Sequence, residues 1–272
     1  MNEPITSIGE FEDWIADQLR NTPETPYTVA VNVKYLRGGV THPGSLGSVL
    51  TANKAKYISL DLSGSLLPVI TDNAFEGCSG LVGIVFPAEA TAIGEEAFSG
   101  CISLTTVAFS TGLTAIGTGA FSDCTSITSL IIPHGVTRVG DYAFSSCSSL
   151  VHVTIPAGAA RIGDYAFSSC SSLAEVDLPA SVVAIGERAF SRCKGLTHIT
   201  IPGGVAFIGE EAFNDCDGLT SVTFKKTLLA ERWGPRAFAG DLRDAFYAVD
   251  SSHGTPGTYT RPNGKSKTWT KQ

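Results

Sequence analysis

The sequence predicts an α/β repeat solenoid capped at both ends, and three observations carry that reading. Seven cysteines, at 78, 101, 124, 147, 170, 193 and 216, follow one another at a constant step of 23 residues. Seven phenylalanines, from Phe75 to Phe213, keep the same step, each preceded by alanine and followed three residues later by one of those cysteines. Between them runs an alternation such as Val153-Thr154-Ile155, with period two. A unit this short cannot enclose its own apolar face, so copies must stack and bury it against one another.

Residues 1–56 read as an N-terminal α/β cap. Ser7 and Glu10 have capping-box spacing, and Ile8, Phe11, Trp14, Ile15 and Leu19 share one helical face, which predicts an amphipathic helix over 8–20. Tyr27, Val29, Val31 and Val33 alternate as a strand; a helical turn near 45–53 and a strand from Tyr57 to Leu62 lead into the repeats.

Residues 57–241 hold seven regular units and one degenerate one. The V-x-I element is a short strand with two side chains inward and one outward, and stacking pairs these strands in parallel. A proline commonly ends the strand, and Pro133-His134-Gly135 and Pro156-Ala157-Gly158 fit tight turns. A second apolar pair, such as Val136 and Val139, returns inward. The segment from Gly140 to Cys147 and its equivalents is expected to be a short helical turn, with the phenylalanines forming a buried column. The cysteines lack the close pairs of a zinc site and the orientation for disulfides, so they are expected to be seven free, buried thiols acting as small hydrophobes. In the eighth unit Trp233, Gly234, Ala237 and Phe238 imitate Ile-Gly and Ala-Phe, and Asp241 replaces the cysteine.

Residues 242–272 form a basic C-terminal tail. From residue 225 onward there are nine Lys and Arg against four Asp and Glu, while residues 1–224 carry ten against 22. The tail reads as a flexible or strand-like flap, with a contact segment for an acidic partner as the alternative.

The runs IGEEAFSGCISLTTVAF, VGDYAFSSCSSLVHVTIP and IGERAFSRCKGLTHITIP resemble the BspA-type, or treponemal, leucine-rich repeat over about residues 57–241. The flanks NTPETPYTVAVNV, KYISLDLSGS and GTYTRPNGKSKTWTKQ also resemble those of treponemal members. The resemblance implies a curved right-handed superhelix with a parallel sheet on its concave face, and a cell-surface or secreted protein of adhesion and host-protein binding. One departure stands out. The position shortly after the strand, which in the common leucine-rich pattern holds Asn or Cys, is Glu89, Gly112, Gly135, Gly158, Ser181 or Gly204 here. No asparagine ladder exists there, and the turns must satisfy their backbone with one another or with water.

A net charge of -7 and the absence of a basic stripe argue against nucleic-acid binding through phosphate neutralisation. No apolar run approaches the ~20 residues of a membrane-spanning helix. The start MNEPITSIGEFEDW has no apolar core of the kind a secretory signal needs. No zinc-hydrolase, phosphate-loop, nucleophile-elbow or dinucleotide motif occurs, so a non-enzymatic protein without cofactor is expected.

The outward positions of the sheet are the expected binding surface. Val85, Thr106, Ala108, Ser129 and Ile131 make a small, largely apolar half, suited to a protein side chain, a lipid-like ligand or the protein's own N-terminal segment. His152, Glu175 and His198 lie on three consecutive strands at one level, with Asp177 beside them. They are a candidate metal or pH-responsive cluster, the alternative being an ordinary solvated sheet face. The leading expectation is a surface module that binds a protein, with a host extracellular protein as the partner the resemblance implies. Small-molecule carriage near Val85, Ala108 and Ile131 and self-association as a scaffold are the alternatives.

Overall fold

The computed structural model describes residues 3–36, 39–42 and 44–272, and they form a parallel β-solenoid of about seven turns. Each coil carries three hydrogen-bonded ladders. The first is built from the V-x-I strands Leu81–Val85, Thr106–Ala108, Ser129–Ile131, His152–Thr154, Glu175–Asp177, His198–Ile201 and Ser221–Phe224. Paired residues sit one repeat apart, as in His152 opposite Glu175 and Val85 opposite Ala108. Period-two alternation buries Leu130, Val153 and Val176 while their neighbours face outward. Hydrogen-bonded pairing in this ladder stops between Thr106–Ala108 and Ser129–Ile131, and again between Glu175–Asp177 and His198–Ile201.

The second ladder is continuous. Seven two-residue strands, from Val69–Ile70 through Arg138–Val139 to Phe207–Ile208, pair in strict order. The Pro turns deliver the chain to it: the Val136 and Val182 amides donate to the Pro133 and Pro179 carbonyls at 3.0 Å. Gly135 serves close approach, because a Cβ there would lie 2.6 Å from the Leu113 carbonyl oxygen of the previous coil.

The third ladder replaces the expected helical turn. Over Gly140 to Cys147 the chain forms successive turns, because Tyr142 and Ser146, two residues either side of Phe144, have φ of 57° and 60°. The same left-handed pair recurs as Gly119 and Asp123, Tyr165 and Ser169, and Arg188 and Arg192. Each such non-glycine residue costs roughly 1–2 kcal/mol, and the conformation is incompatible with a continuing helix. It turns alternate N–H groups toward the next coil. Gly119, Phe121 and Asp123 donate to the carbonyls of Asp141, Ala143 and Ser145, each at 2.8 Å. True helices are therefore confined to the two ends.

Inside this frame the phenylalanines stack face to face. Centroids from Phe75 through to Phe238 are 4.6–5.5 Å apart, with ring planes within 16° of parallel. All seven cysteines are free and buried. They are more than small hydrophobes: the Cys101, Cys124, Cys147, Cys170, Cys193 and Cys216 thiols each donate to the carbonyl of the phenylalanine one coil back, at 3.0–3.2 Å. Each of these carbonyls also accepts from the cysteine amide three residues on, so the thiol is its second donor and links one coil to the next.

At the N-terminal end the helix spans Ile8–Ala16, with the Ser7 hydroxyl accepting from the Glu10 amide and the Glu10 carboxylate accepting from the Thr6 amide. It stops short of residue 20. Leu19, expected on the docking face, lies beyond the helix and is 79% exposed. Strand Tyr27–Ala30 pairs with Ile58–Asp61, and helix Leu46–Ala52 precedes the latter. At the other end Trp233 bridges Ile208 and Phe238 extends the ring stack, while the Asp241 carboxylate accepts from the Trp269 amide at 2.7 Å.

Of the flexible and strand-like readings of the tail, the strand-like one holds, and the tail is built into the fold. After helix Leu242–Tyr247, strand Gly257–Thr260 pairs antiparallel with Ser221–Phe224 and closes the first sheet, and Thr270–Lys271 pairs outside it. Arg261, one of the tail's basic residues, is buried and donates to the Leu219, Cys216 and Ser266 carbonyls.

Candidate recognition surface

The outward side chains of the first ladder form one wall. Val85, Thr106, Ala108, Ser129, Ile131, His152, Glu175, Asp177 and His198 are all exposed, alternating with buried Ile84, Leu130, Val153, Val176 and Ile199. Their positions follow from strand period, and within each paired stretch a wall residue lies beside its equivalent one coil on, as Val85 beside Ala108, Ile131 beside Thr154 and His152 beside Glu175. Ile131 is the most exposed apolar member at 75%, with Val85 at 37%. Gly83, two residues before Val85 on the same strand, would be an outward position by alternation, but it is buried, and Ser59 of the preceding coil lies against it. Among the described residues the N-terminal segment does not cover the apolar half. Ile5 instead bridges Val31 at the N-terminal edge of the sheet. At the far end Ser221 and Thr223 are half-buried, and the Thr223 hydroxyl meets that of Thr258 at 2.9 Å.

His198 Nε2 lies 3.8 Å from Glu175 Oε1, with both side chains more than half exposed. His152 sits opposite Glu175 in register but makes no ion pair with it among the described residues. Among the described residues no group of three or more His, Cys, Asp and Glu is placed to hold a metal ion. The flat ladder presents its side chains side by side, whereas metal ligands converge. No helix among the described residues is long and apolar enough to cross a membrane.

The family model of the BspA type leucine-rich repeat region matches residues 52–173 and 140–242, in six copies. The chain belongs to the BspA-type leucine-rich repeat family. No curated protein matches it. Among solved structures, a leucine-rich repeat protein of T. pallidum is 24% identical, with 82% of this chain and 85% of that one covered and a TM-score of 0.49. A leucine-rich cell surface protein from Faecalibacterium prausnitzii is 27% identical over 76% of this chain and 45% of that one, with a TM-score of 0.43. The pneumococcal vaccine antigen PcpA is 18% identical over 66% of each chain, with a TM-score of 0.39. The fold assignment rests on the coils and the family match.

This BspA-type chain carries a second ordered stripe that reading the turn as helix concealed. The left-handed residue two before each phenylalanine gives Asn73, Glu96, Gly119, Tyr142, Tyr165, Arg188, Glu211 and Arg236, one per coil. Tyr142 and Tyr165 stack at 4.6 Å. The Arg188 guanidinium lies 5.5 Å from the Tyr165 ring centre and donates to Glu211 at 2.6 Å, and Arg236 pairs with Glu211 from the other side. The Arg188 hydrogen bond holds the Glu211 carboxyl below its usual range. A cavity of about 330 Å³ beside them is lined by Ser168, Ser191, Arg192, Asn214 and Asp215. The signal was present in IGEEAF, VGDYAF, IGDYAF and IGERAF, where these residues keep the 23-residue step.

Proposed function

We propose that this protein-interaction repeat module binds a protein partner on the first-ladder wall, without catalysis, in a cell-surface or secreted setting. The observation that carries the reading is Ile131, an apolar side chain held 75% exposed on a rigid strand whose inward neighbours are fully packed. Val85 and Ala108 form a second apolar pair on the preceding strands, beyond a break in the ladder, while Glu175 and Asp177 add negative charge two coils farther on. Such a wall suits a partner segment with an apolar anchor followed by a basic residue. The setting is an expectation of family membership. Carriage of a small apolar ligand fits less well, because Val85, Ala108 and Ile131 lie on an open face and a carrier encloses most of its ligand. Metal binding by His152, Glu175 and His198 has no observation that favours it.

The test is a binding screen of the folded chain against purified extracellular-matrix and serum proteins, run in parallel with Ile131→Asp/Glu175→Lys. A partner that binds the parent and loses at least roughly tenfold in affinity, about 1.4 kcal/mol, for the double variant supports the wall. Partners that bind both equally place recognition elsewhere.

A further inference from the structure

The turn-side stripe contains an arrangement that is complete at one place and lacks its central member at another. In consecutive coils Tyr165, Arg188 and Glu211 form an aromatic face, a guanidinium over it and a carboxylate beyond, with the cation 5.5 Å from the ring centre and 2.6 Å from the acid. Reading the other way from Tyr142, the next two stripe residues are Gly119 and Glu96. There the aromatic face and the acid are present, and the position between them has no side chain.

Tyr142 has a single stacking partner among the described residues. Tyr165 covers one face at 4.6 Å, nearly parallel, yet Tyr142 remains 43% exposed. Among the described residues no second ring or cation lies against Tyr142. Glu96 leans over the gap: its Cγ lies 3.2 Å from where a Gly119 Cβ would be, and among the described residues its carboxylate meets only the Asn73 amide group, at 3.3 Å. The surroundings are acidic. From residue 57 to 137 there are seven Asp and Glu and no Lys or Arg. The Asp141 carboxylate nearby is already paired with Arg138 at 3.1 Å.

We propose that the gap over Gly119, between Tyr142 and Glu96, is a binding site for an arginine side chain of a partner protein. The guanidinium is flat enough to occupy one coil's spacing, stacks on an aromatic face and pairs with a carboxylate, whereas an ammonium does the first two less well. The chain's own Arg188 shows that this stripe accommodates the group. The site lies outside the first-ladder wall, so its fate is independent of the function proposed above.

The test titrates the full chain, with isotope-labelled tyrosine rings, with the capped tripeptide Gly-Arg-Gly and with its citrulline analogue, which keeps the shape and lacks the charge. The Tyr142 resonances are expected to move with the arginine peptide and not with the citrulline one, and Tyr142→Leu or Glu96→Gln to weaken binding roughly two- to fivefold. Gly119→Arg is expected to fill the gap from within and abolish binding. Its backbone is tolerable, because the equivalent Arg188 and Arg236 have φ of 49° and 51° against 60° at Gly119. Tyr142 resonances that stay still, citrulline binding as well as arginine, or a folded Gly119→Arg that binds like the parent would overturn the proposal. Glu96→Gln, an exposed change, keeps the test decisive should Gly119→Arg fail to fold.

Discussion

The Cys147 thiol donates to the Phe121 carbonyl of the preceding coil at 3.2 Å, and the ring of that phenylalanine stacks on Phe144 at 5.5 Å. One residue pair thus ties the backbone of a coil to the aromatic spine of the next. If the thiol acts as a donor and not only as volume, Cys147→Ala costs about 1–2 kcal/mol in urea unfolding and Cys147→Ser costs less, since the hydroxyl keeps the bond. A serine variant less stable than the alanine one contradicts the ladder.

Burial pushes the Cys78 thiol up to about 11 and the Cys124, Cys170 and Cys216 thiols up to about 12, and holds Cys101, Cys147 and Cys193 well above the usual thiol value. Unfolded thiols ionise near 9, so above that pH the unfolded state releases protons that the folded state retains. Stability is then undiminished below pH 9 and falls as pH rises toward the folded values, by ~1.4 kcal/mol per thiol per pH unit. Alkaline titration followed by circular dichroism should give a steep cooperative loss that begins just above pH 9. At pH 8 a thiol reagent should label the native chain at none of its seven cysteines and the denatured chain at all of them. Gradual labelling of the native chain at that pH would show open thiols.

The left-handed position at Asp123, with φ of 58°, is held by glycine in the equivalent Gly77 and Gly100. Asp123→Gly is expected to be neutral or up to about 1 kcal/mol more stable, and Asp123→Val about 1–2 kcal/mol less stable. Equal melting temperatures for the two variants would mean that the turn carries no such conformational demand.

Arg261 satisfies three carbonyls in the C-terminal cap while its guanidinium packs 4.9 Å from the Trp269 ring centre. Arg261→Ala should cost about 2–4 kcal/mol, and Arg261→Lys should recover little, because an ammonium cannot span the same acceptors. Hydrogen exchange would read this as loss of protection in Gly257–Thr260 before the central coils. Uniform loss along the chain would contradict a locally acting cap.

The repeat period made most of this legible. Residues recurring every 23 positions fixed the ring stack, the strand register and the outward identity of Ile131 and Glu175, because stacking leaves one choice of register for an alternating pattern. The turn was misread for a definite reason. Gly140 to Cys147 has helix-compatible composition, and nothing local announces that Tyr142 and Ser146 adopt positive φ; that choice is imposed by the ladder to the next coil. The cysteines were placed inside correctly, but their acceptor lies 26 residues away, beyond any local pattern. The tail's composition left a flexible and a strand-like flap both open; the strand-like one forms, with Arg261 turned inward to the Leu219 and Cys216 carbonyls of the last coil.

The most direct measurement of the recognition wall is methyl NMR of the chain with the strongest partner from the screen. Ile131 and Ile132 are neighbours in sequence with opposite fates, one outward and one only 2% exposed. The wall account predicts that the Ile131 and Val85 methyls shift or broaden on binding while those of Ile132 and Val153 hold still. Perturbation confined to the turn side or to a cap, with Ile131 unmoved, would contradict it.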